Sequence, residues 1–450
     1  MSDVKKLRKI GVWGHYHAAN LGDNLVVTAL IQNIRARCPE AEIIGFSQNP
    51  MDTRERHGIP AFPLRWSTRE RKADATRADT PGESDGKGWR APLKSTLKQF
   101  PRLFSLLKSL REWFRAVAAI VNEPLFLWKS YRRLHGLDLV IVAGSNPLLD
   151  WGTPWSHSYT TFKWAMLARA AGVKFALLSV GAGPISFKLS RFFLRSALRS
   201  AHYLSFRDGY SARLVRKRLG LSGSFPVFAD MAFSLDFDSA LREMEEPEKL
   251  PGRAVVGLNL VPFFDDRYWF KGDSAKYRQY LRRLGGFVKW LLDGDYAVVL
   301  LYSQLSADPL VNKDFRQILA EDFGVELAER VVEARIDNLE DLVAQIRRCD
   351  YIVAGRFHCV LLPFMLGRLS IGLAYHPKTR ELLSYLGQPD YAFDIEDFRS
   401  ESLIDLFRKL ERDSSQIRAD ISTKLPEMSR SLAGQYDQLL GAAPIESEPV

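Results

Sequence analysis

The chain has 450 residues, 46% of them hydrophobic and 26% charged, with a formal net charge of +10. That balance describes a folded protein of two or three domains and excludes wholesale disorder. No apolar run approaches the roughly 18 residues of a transmembrane helix, and the basic opening MSDVKKLRK passes straight into a strand without a leader-like apolar region. Three cysteines, Cys38, Cys349 and Cys359, lack metal-ligand spacing. An odd, sparse set of this kind is expected of a reducing cytosol, so a cytoplasmic protein without a metal site is the expectation.

The first predicted strand is Lys9–Trp13, followed by a loop opening at Gly14 and the segment Asn20-Leu21-Gly22-Asp23. An amphipathic helix, Asn24–Arg37, is expected next, with Asp23 as its N-cap. The strand, glycine-bearing loop and helix can cradle an anion, although neither GxGxxG nor a P-loop lysine is present. Ala41–Ser47 is the second strand.

From Arg65 to Lys98 the chain is polar, basic and broken by Pro81, Gly82, Gly86, Gly88 and Pro92. It reads as an insert, at about 65–133, in the first domain. Leu93–Leu134 then mixes Lys and Arg with Phe, Trp and Leu, and Leu103, Leu107, Leu110, Phe114 and Val117 keep helical spacing. Two readings stand side by side: a helix lying on an anionic membrane surface at the inner leaflet, or a core-packed helix with a basic outer face. No zinc-finger spacing, RNA-recognition signature or basic zipper is present, so no nucleic acid is expected as a partner.

Alternation resumes with the strand Asp138–Ala143 and its Gly144-Ser145-Asn146 turn, the helix Thr160–Ala171, and the strand Val173–Val180 running into Gly181-Ala182-Gly183-Pro184. The helix Leu189–Arg199, the strand Tyr203–Phe206 and the helix Ser211–Leu219 follow, with Asp208 as cap and Arg207 at the strand's carboxyl end. Phe225–Phe228 and Asp230 close a first unit, residues 1–235. An acidic, polar stretch at 236–253 is the expected linker. The second unit, 254–422, alternates again: strands at Ala254–Leu260, Tyr296–Tyr302 and Val331–Glu333, and helices at Tyr277–Leu292, Lys313–Glu321 and Leu342–Arg348. Residues 423–450 form a last helix, expected to return to the first domain, and a tail. Strands alternating with helices imply α/β architecture: two Rossmann-like, doubly wound domains facing a cleft.

The richest stretch is Tyr351–Lys378. Two apolar strands, Tyr351–Gly355 and Ser370–Tyr375, deliver Arg356, His358 and Lys378 to one sheet edge. Ligands bind at the carboxyl ends of parallel strands. Cations there suit an anionic small molecule, and a histidine among them suits proton transfer.

Taken in order, these pieces resemble the polysaccharide pyruvyl transferase family. The motifs are Asn20-x-Gly22-Asp23, Gly181-x-Gly183-Pro184, Phe206-Arg207-Asp208 with Ser211, Asp230-x-x-Phe233, Arg356-x-His358 and Tyr375-x-x-Lys378. The resemblance implies a GT-B-like fold and transfer of a pyruvyl group from phosphoenolpyruvate to a sugar of a polysaccharide or lipid-linked precursor, giving a ketal. Phosphoenolpyruvate is then a substrate, and no cofactor is implied. It also implies His358 as acid/base and Arg207, Arg356 and Lys378 at the donor, with Asn20, Gly22, Asp23 and Gly183 as further substrate-binding residues, the helix N-termini after Gly22 and Gly183 offering N–H donors to the phosphate. The chain departs from the family pattern in the turn AGSNPLLDWG, at Ala182 and at Gly355. Two other readings remain: a GT-B-like glycosyltransferase with a nucleotide-sugar donor, and an inactive membrane-peripheral assembly protein.

Overall fold

The computed structural model describes residues 7–14, 19–66, 121–150, 152–237, 253–269, 271–396 and 398–441. The greater part of the basic insert, and of the linker expected at 236–253, therefore lies outside the described residues.

The chain folds into two six-stranded, wholly parallel sheets. The first contains β1 (Lys9–Trp13), β2 (Glu42–Ser47), β3 (Ala61–Pro63), β4 (Leu139–Ala143), β5 (Lys174–Val180) and β6 (Tyr203–Phe206), in the order β3-β2-β1-β4-β5-β6. The second contains β7 (Val255–Asn259), β8 (Ala297–Leu301), β9 (Val331–Glu333), β10 (Tyr351–Ala354), β11 (Leu369–Ala374) and β12 (Ala392–Asp394). Its order, β12-β11-β10-β7-β8-β9, is the same doubly wound arrangement repeated. Helices cover both faces of each sheet, so the strands must be apolar on both sides. LVIVA at Leu139–Ala143 and LSIGLA at Leu369–Ala374 are buried at every position.

The first helix starts earlier than expected, at Leu21, and its cap is Asn20 rather than Asp23. The Asn20 side chain accepts from the Gly22 N–H at 3.2 Å, which leaves the Asp23 carboxylate free to reach Ser145. Several elements went unpredicted: the helices Pro50–His57, Val325–Glu329, Pro377–Tyr385 and Ser400–Arg412, and the three-residue strands β3 and β12. Conversely, Phe225–Phe228 forms only an isolated bridge, Val227 to Phe206.

The last helix, Ser414–Leu440, crosses back to the first domain. There Arg37 pairs with Asp437 at 2.5 Å and the Tyr436 hydroxyl lies 3.0 Å from Ser234 Oγ. Its Gln435 is buried. The amide donates to Ser205 Oγ at 2.6 Å and accepts from Ser179 Oγ at 3.0 Å. Ser179 has a left-handed backbone (φ 46°) where the β5–β6 register shifts. The crossing helix thus supplies the polar partners for an irregularity at the carboxyl end of β5. A second tie joins the domains in front: Leu21 N–H donates to Ser303 O at 2.9 Å, and Leu305 N–H to Ala19 O at 2.8 Å.

Candidate active site

The carboxyl ends of the two sheets face each other. The first domain offers Arg207 from the end of β6 and Asp230 just before a short 3-10 turn. The second offers Arg356, Phe357 and His358 after β10, and Lys378 after β11. Parallel strands all end on one side, so residues far apart in sequence converge here.

Phe357 sits at the centre. The Arg207 guanidinium lies 5.0 Å from its ring centroid and the Lys378 ammonium 5.5 Å. The His358 ring meets it edge-on at 5.1 Å. An aromatic ring attracts cations without neutralising them, so Arg207 and Lys378 are held near each other at Phe357. Among the described residues Lys378 makes no ion pair. Burial first, and then Arg207 and Arg356, push its ammonium down to about 7.

Arg207 is positioned on three sides. Nη2 donates to Asn146 Oδ1 at 2.7 Å, Nη1 to Asp230 Oδ2 at 3.4 Å, and Nε lies 3.5 Å from Asp208. Any side chain at residue 181 would collide with Arg207 and Asn146, so only glycine lets the guanidinium lie along that loop. Asp208 also caps the helix Gly209–Leu219, accepting from Ser211 N–H at 2.6 Å. Ser211 Oγ in turn accepts from Ala182 N–H at 2.9 Å.

His358 is buried against the N-terminus of the first helix, where a Cβ on Gly22 would overlap its Nδ1. Its Nε2 lies 3.8 Å from Asp230 Oδ1, longer than a hydrogen bond, and has no hydrogen-bond partner among the described residues. Burial would raise the Asp230 carboxyl, but His358, Arg207 and the Ala232 N–H outweigh it and hold it at about 2. One carboxylate therefore serves an arginine and a histidine together.

Arg356 faces elsewhere. Its Nε donates to both oxygens of the buried Asp308, at 3.0 and 3.3 Å, and its backbone N–H to Asn259 Oδ1 at 2.9 Å. Burial opposes its charge, yet Asp308 raises the guanidinium above its ordinary range. This pair is closed: it fixes the start of the helix Phe357–Met365 and presents the two residues that follow. Asp23 accepts from Ser145 Oγ at 3.1 Å. The Gly183 N–H is donated to Leu148 O at 3.0 Å, and Ser186 and Phe187 give theirs to Asp150. In this conformation the turn beyond Gly183 has spent those donors inside the fold, and Gly183 contributes by packing on Leu149.

Of the residues singled out in the sequence, Arg207, His358 and Lys378 are brought together, with Gly22 behind the imidazole and Asp23 one contact further out. Sequence reasoning missed Asn146, Asp230 as a partner of His358, Phe357 and Asp308. Asp230 stood within a quoted motif. Asn146 stood in the turn that departs from the family pattern. Beside this cluster an open crevice of roughly 460 Å³ runs from Arg207, Asp230, Phe357 and Lys378 to Leu382 and Tyr385. Among the described residues no group of three His, Cys, Asp or Glu side chains could hold a metal.

Two facing doubly wound domains, with a C-terminal helix returning to the first, define a two-domain α/β protein of the GT-B class. Solved structures agree. A glycosyltransferase from Rickettsia africae superposes with a TM-score of 0.54 at 11% identity, covering 98% of this chain and 100% of its own. MnaA of S. aureus, solved with UDP, gives 0.55 at 11% identity, covering 99% and 100%. The glycosyltransferase SnogD of Streptomyces nogalater gives 0.51 at 17%, covering 98% and 100%. At such identities the likeness is one of fold. The chain itself belongs to the polysaccharide pyruvyl transferase family, whose model matches residues 20–377. That span reaches from the Asn20 cap to the residue before Lys378.

Proposed function

We propose that the chain transfers a pyruvyl group from phosphoenolpyruvate to two hydroxyls of a sugar, within a polysaccharide precursor or a lipid-linked one, at the cytoplasmic face of a membrane. The observation that carries this reading is the pair of cations, Arg207 and Lys378, both held at the Phe357 ring beside a buried histidine. The donor has two anionic groups, a carboxylate and a phosphate, and each cation takes one.

In this reading His358 delivers a proton to the methylene carbon of the donor, and positive charge develops on the adjoining carbon. A sugar hydroxyl bonds to that carbon and loses its proton, and the C–O bond to phosphate breaks. The second hydroxyl then closes the ketal and loses its proton in turn. One proton enters at carbon and two leave the hydroxyls; the net proton departs on phosphate. Asp230 balances the imidazolium form of His358, and the cation at the phosphate receives the charge that collects there as it leaves.

Thermal unfolding with phosphoenolpyruvate, UDP-sugars or CMP-sialic acid tests the donor. Stabilisation by phosphoenolpyruvate alone, lost in Lys378→Ala, is expected. Stabilisation by a nucleotide sugar alone would keep the fold and overturn the chemistry.

A further inference from the structure

The loops that leave β4 and β5 carry Asn146 and Gly181 to the site, and both continue outward to the same surface. They are tied together at Asp150. Its N–H donates to Pro184 O at 3.1 Å, and its carboxylate accepts from the N–H groups of Ser186 and Phe187 at 2.6 and 2.8 Å. Beyond this knot stand Trp155 on one loop, Phe187 on the other, and Leu189 and Phe192 on the helix Lys188–Ser200. Trp155 is 62% exposed and Phe192 58%; Phe187 and Leu189 are exposed as well. These rings are braced from beneath. Trp155 meets Tyr159 and Phe193 at 5.5 and 5.8 Å, and Phe192 meets Phe162 at 6.0 Å. Large apolar groups held outward on a packed base are a binding surface.

The charge in these segments is mostly basic, with the Asp150 carboxylate spent on the knot. From Trp151 to Ser200 the sequence holds seven Lys and Arg and no Asp or Glu. Glu123, on the neighbouring helix through 121–134, is engaged with Lys163 at 2.8 Å. That helix buries Phe126 and Leu134 in the core while exposing Leu125 and Trp128. Aromatic and aliphatic tips among unopposed cations match the headgroup level of an anionic bilayer, where the rings enter the interface and the cations meet lipid phosphates.

We propose that Trp155, Phe187, Leu189 and Phe192, with Lys188 and Arg195, dock this protein on an anionic lipid bilayer. No helix among the described residues is long and apolar enough to cross a membrane, so the contact is peripheral. The docked loops are those that line Arg207, which puts the catalytic cleft at the lipid surface. The benefit of that placement rests on a lipid-linked acceptor, as in the reading above; lipid binding itself rests on the surface alone.

The full chain is sedimented with vesicles of phosphatidylcholine alone or mixed with phosphatidylglycerol, at low and high salt. Binding to the anionic vesicles, weakened by salt, is expected. Lys188→Gln with Arg195→Gln lowers affinity by roughly thirtyfold at low salt, and Trp155→Ser with Phe192→Ser abolishes retention at high salt. Both pairs are exposed, so folding is checked by unchanged thermal unfolding. No binding to anionic vesicles, or equal binding by all variants, overturns the proposal. So does a dimer in light scattering that Phe192→Ser dissolves. Stabilisation by phosphoenolpyruvate, measured on the same variants, fails or survives separately and reports on the donor reading alone.

Discussion

On the proposed reading, donor binding changes the charge of Lys378, and the size of the change follows from its surroundings. In the ligand-free protein burial, Arg207 and Arg356 place the ammonium at about 7. A donor between Arg207 and Lys378 brings two anionic groups and draws it back toward its ordinary 10.5. At about pH 8 free Lys378 is then roughly one-tenth charged and bound Lys378 nearly all charged, so each donor takes up about 0.9 proton. At about pH 7 the uptake is about 0.5. The donor's own phosphate, titrating near 6, interferes only below that range. Apparent affinity falls roughly fiftyfold between about pH 7 and 9, as the charged fraction drops from about one-half to about one-hundredth. Calorimetry in buffers of different ionisation enthalpy measures both quantities. Uptake near zero at pH 8, flat affinity across the range, or the same uptake in Lys378→Met would refute the placement of Lys378 at the donor.

The same shift has a consequence for stability. Between about 7 and 10.5 the unfolded chain binds the Lys378 proton more tightly than the folded one, so stability rises with pH across that window. Lys378→Met is therefore expected to unfold at a higher temperature than the parent at pH 6, with the difference vanishing toward pH 10. Gly22→Ala drives a methyl into His358 and should cut turnover by about tenfold or more while donor stabilisation persists; retained turnover would remove the imidazole from that position. Asp230→Asn removes the carboxylate that His358 and Arg207 share. In the parent that carboxylate stabilises the fold above the ordinary aspartate range and ceases to as pH falls toward about 2, so the variant should show a smaller stability loss over that interval. Gln435→Leu leaves Ser179 and Ser205 short of partners and should cost about 1–3 kcal/mol in denaturant unfolding.

Both sheets were legible because parallel strands covered on two faces must be apolar throughout. Ten of the twelve strands were expected; β3, ending in Pro63, and β12, ending in Asp394, were not, although β9, also three residues long, was read from its Val331-Val332 pair. The duplicated strand order left no trace as a sequence repeat, since burial demands only apolar character and not particular side chains. Arg207, His358 and Lys378 could be found because charged residues directly after apolar strands are conspicuous. Asp230 and Asn146 were hidden for a different reason. Each acts across the fold, on residues 128 and 61 positions away, and no local pattern reports such a partner.

Asn146 shows what the departure from a run of glycines in the turn after β4 places in the site. Gly144 and Ser145 both take left-handed backbone, at φ 43° and 55°, and together they turn the next side chain toward Arg207. An amide oxygen at 2.7 Å orients the guanidinium and adds no charge. A carboxylate there would also orient it, but would add a third acid beside Asp208 and Asp230. The same division runs through the site. Asp308 fully engages Arg356, which positions the helix start and offers no cation to a ligand, whereas Asp230 is shared between Arg207 and His358, and Phe357 steadies Arg207 and Lys378 with a ring. Arg356 is thus closed on one carboxylate, Arg207 lies 3.5 and 3.4 Å from Asp208 and Asp230 with the neutral Asn146 amide closer, and Lys378 makes no ion pair among the described residues. On the reading proposed above, that graded pairing favours an anion near Lys378 and Arg207 over one at Arg356.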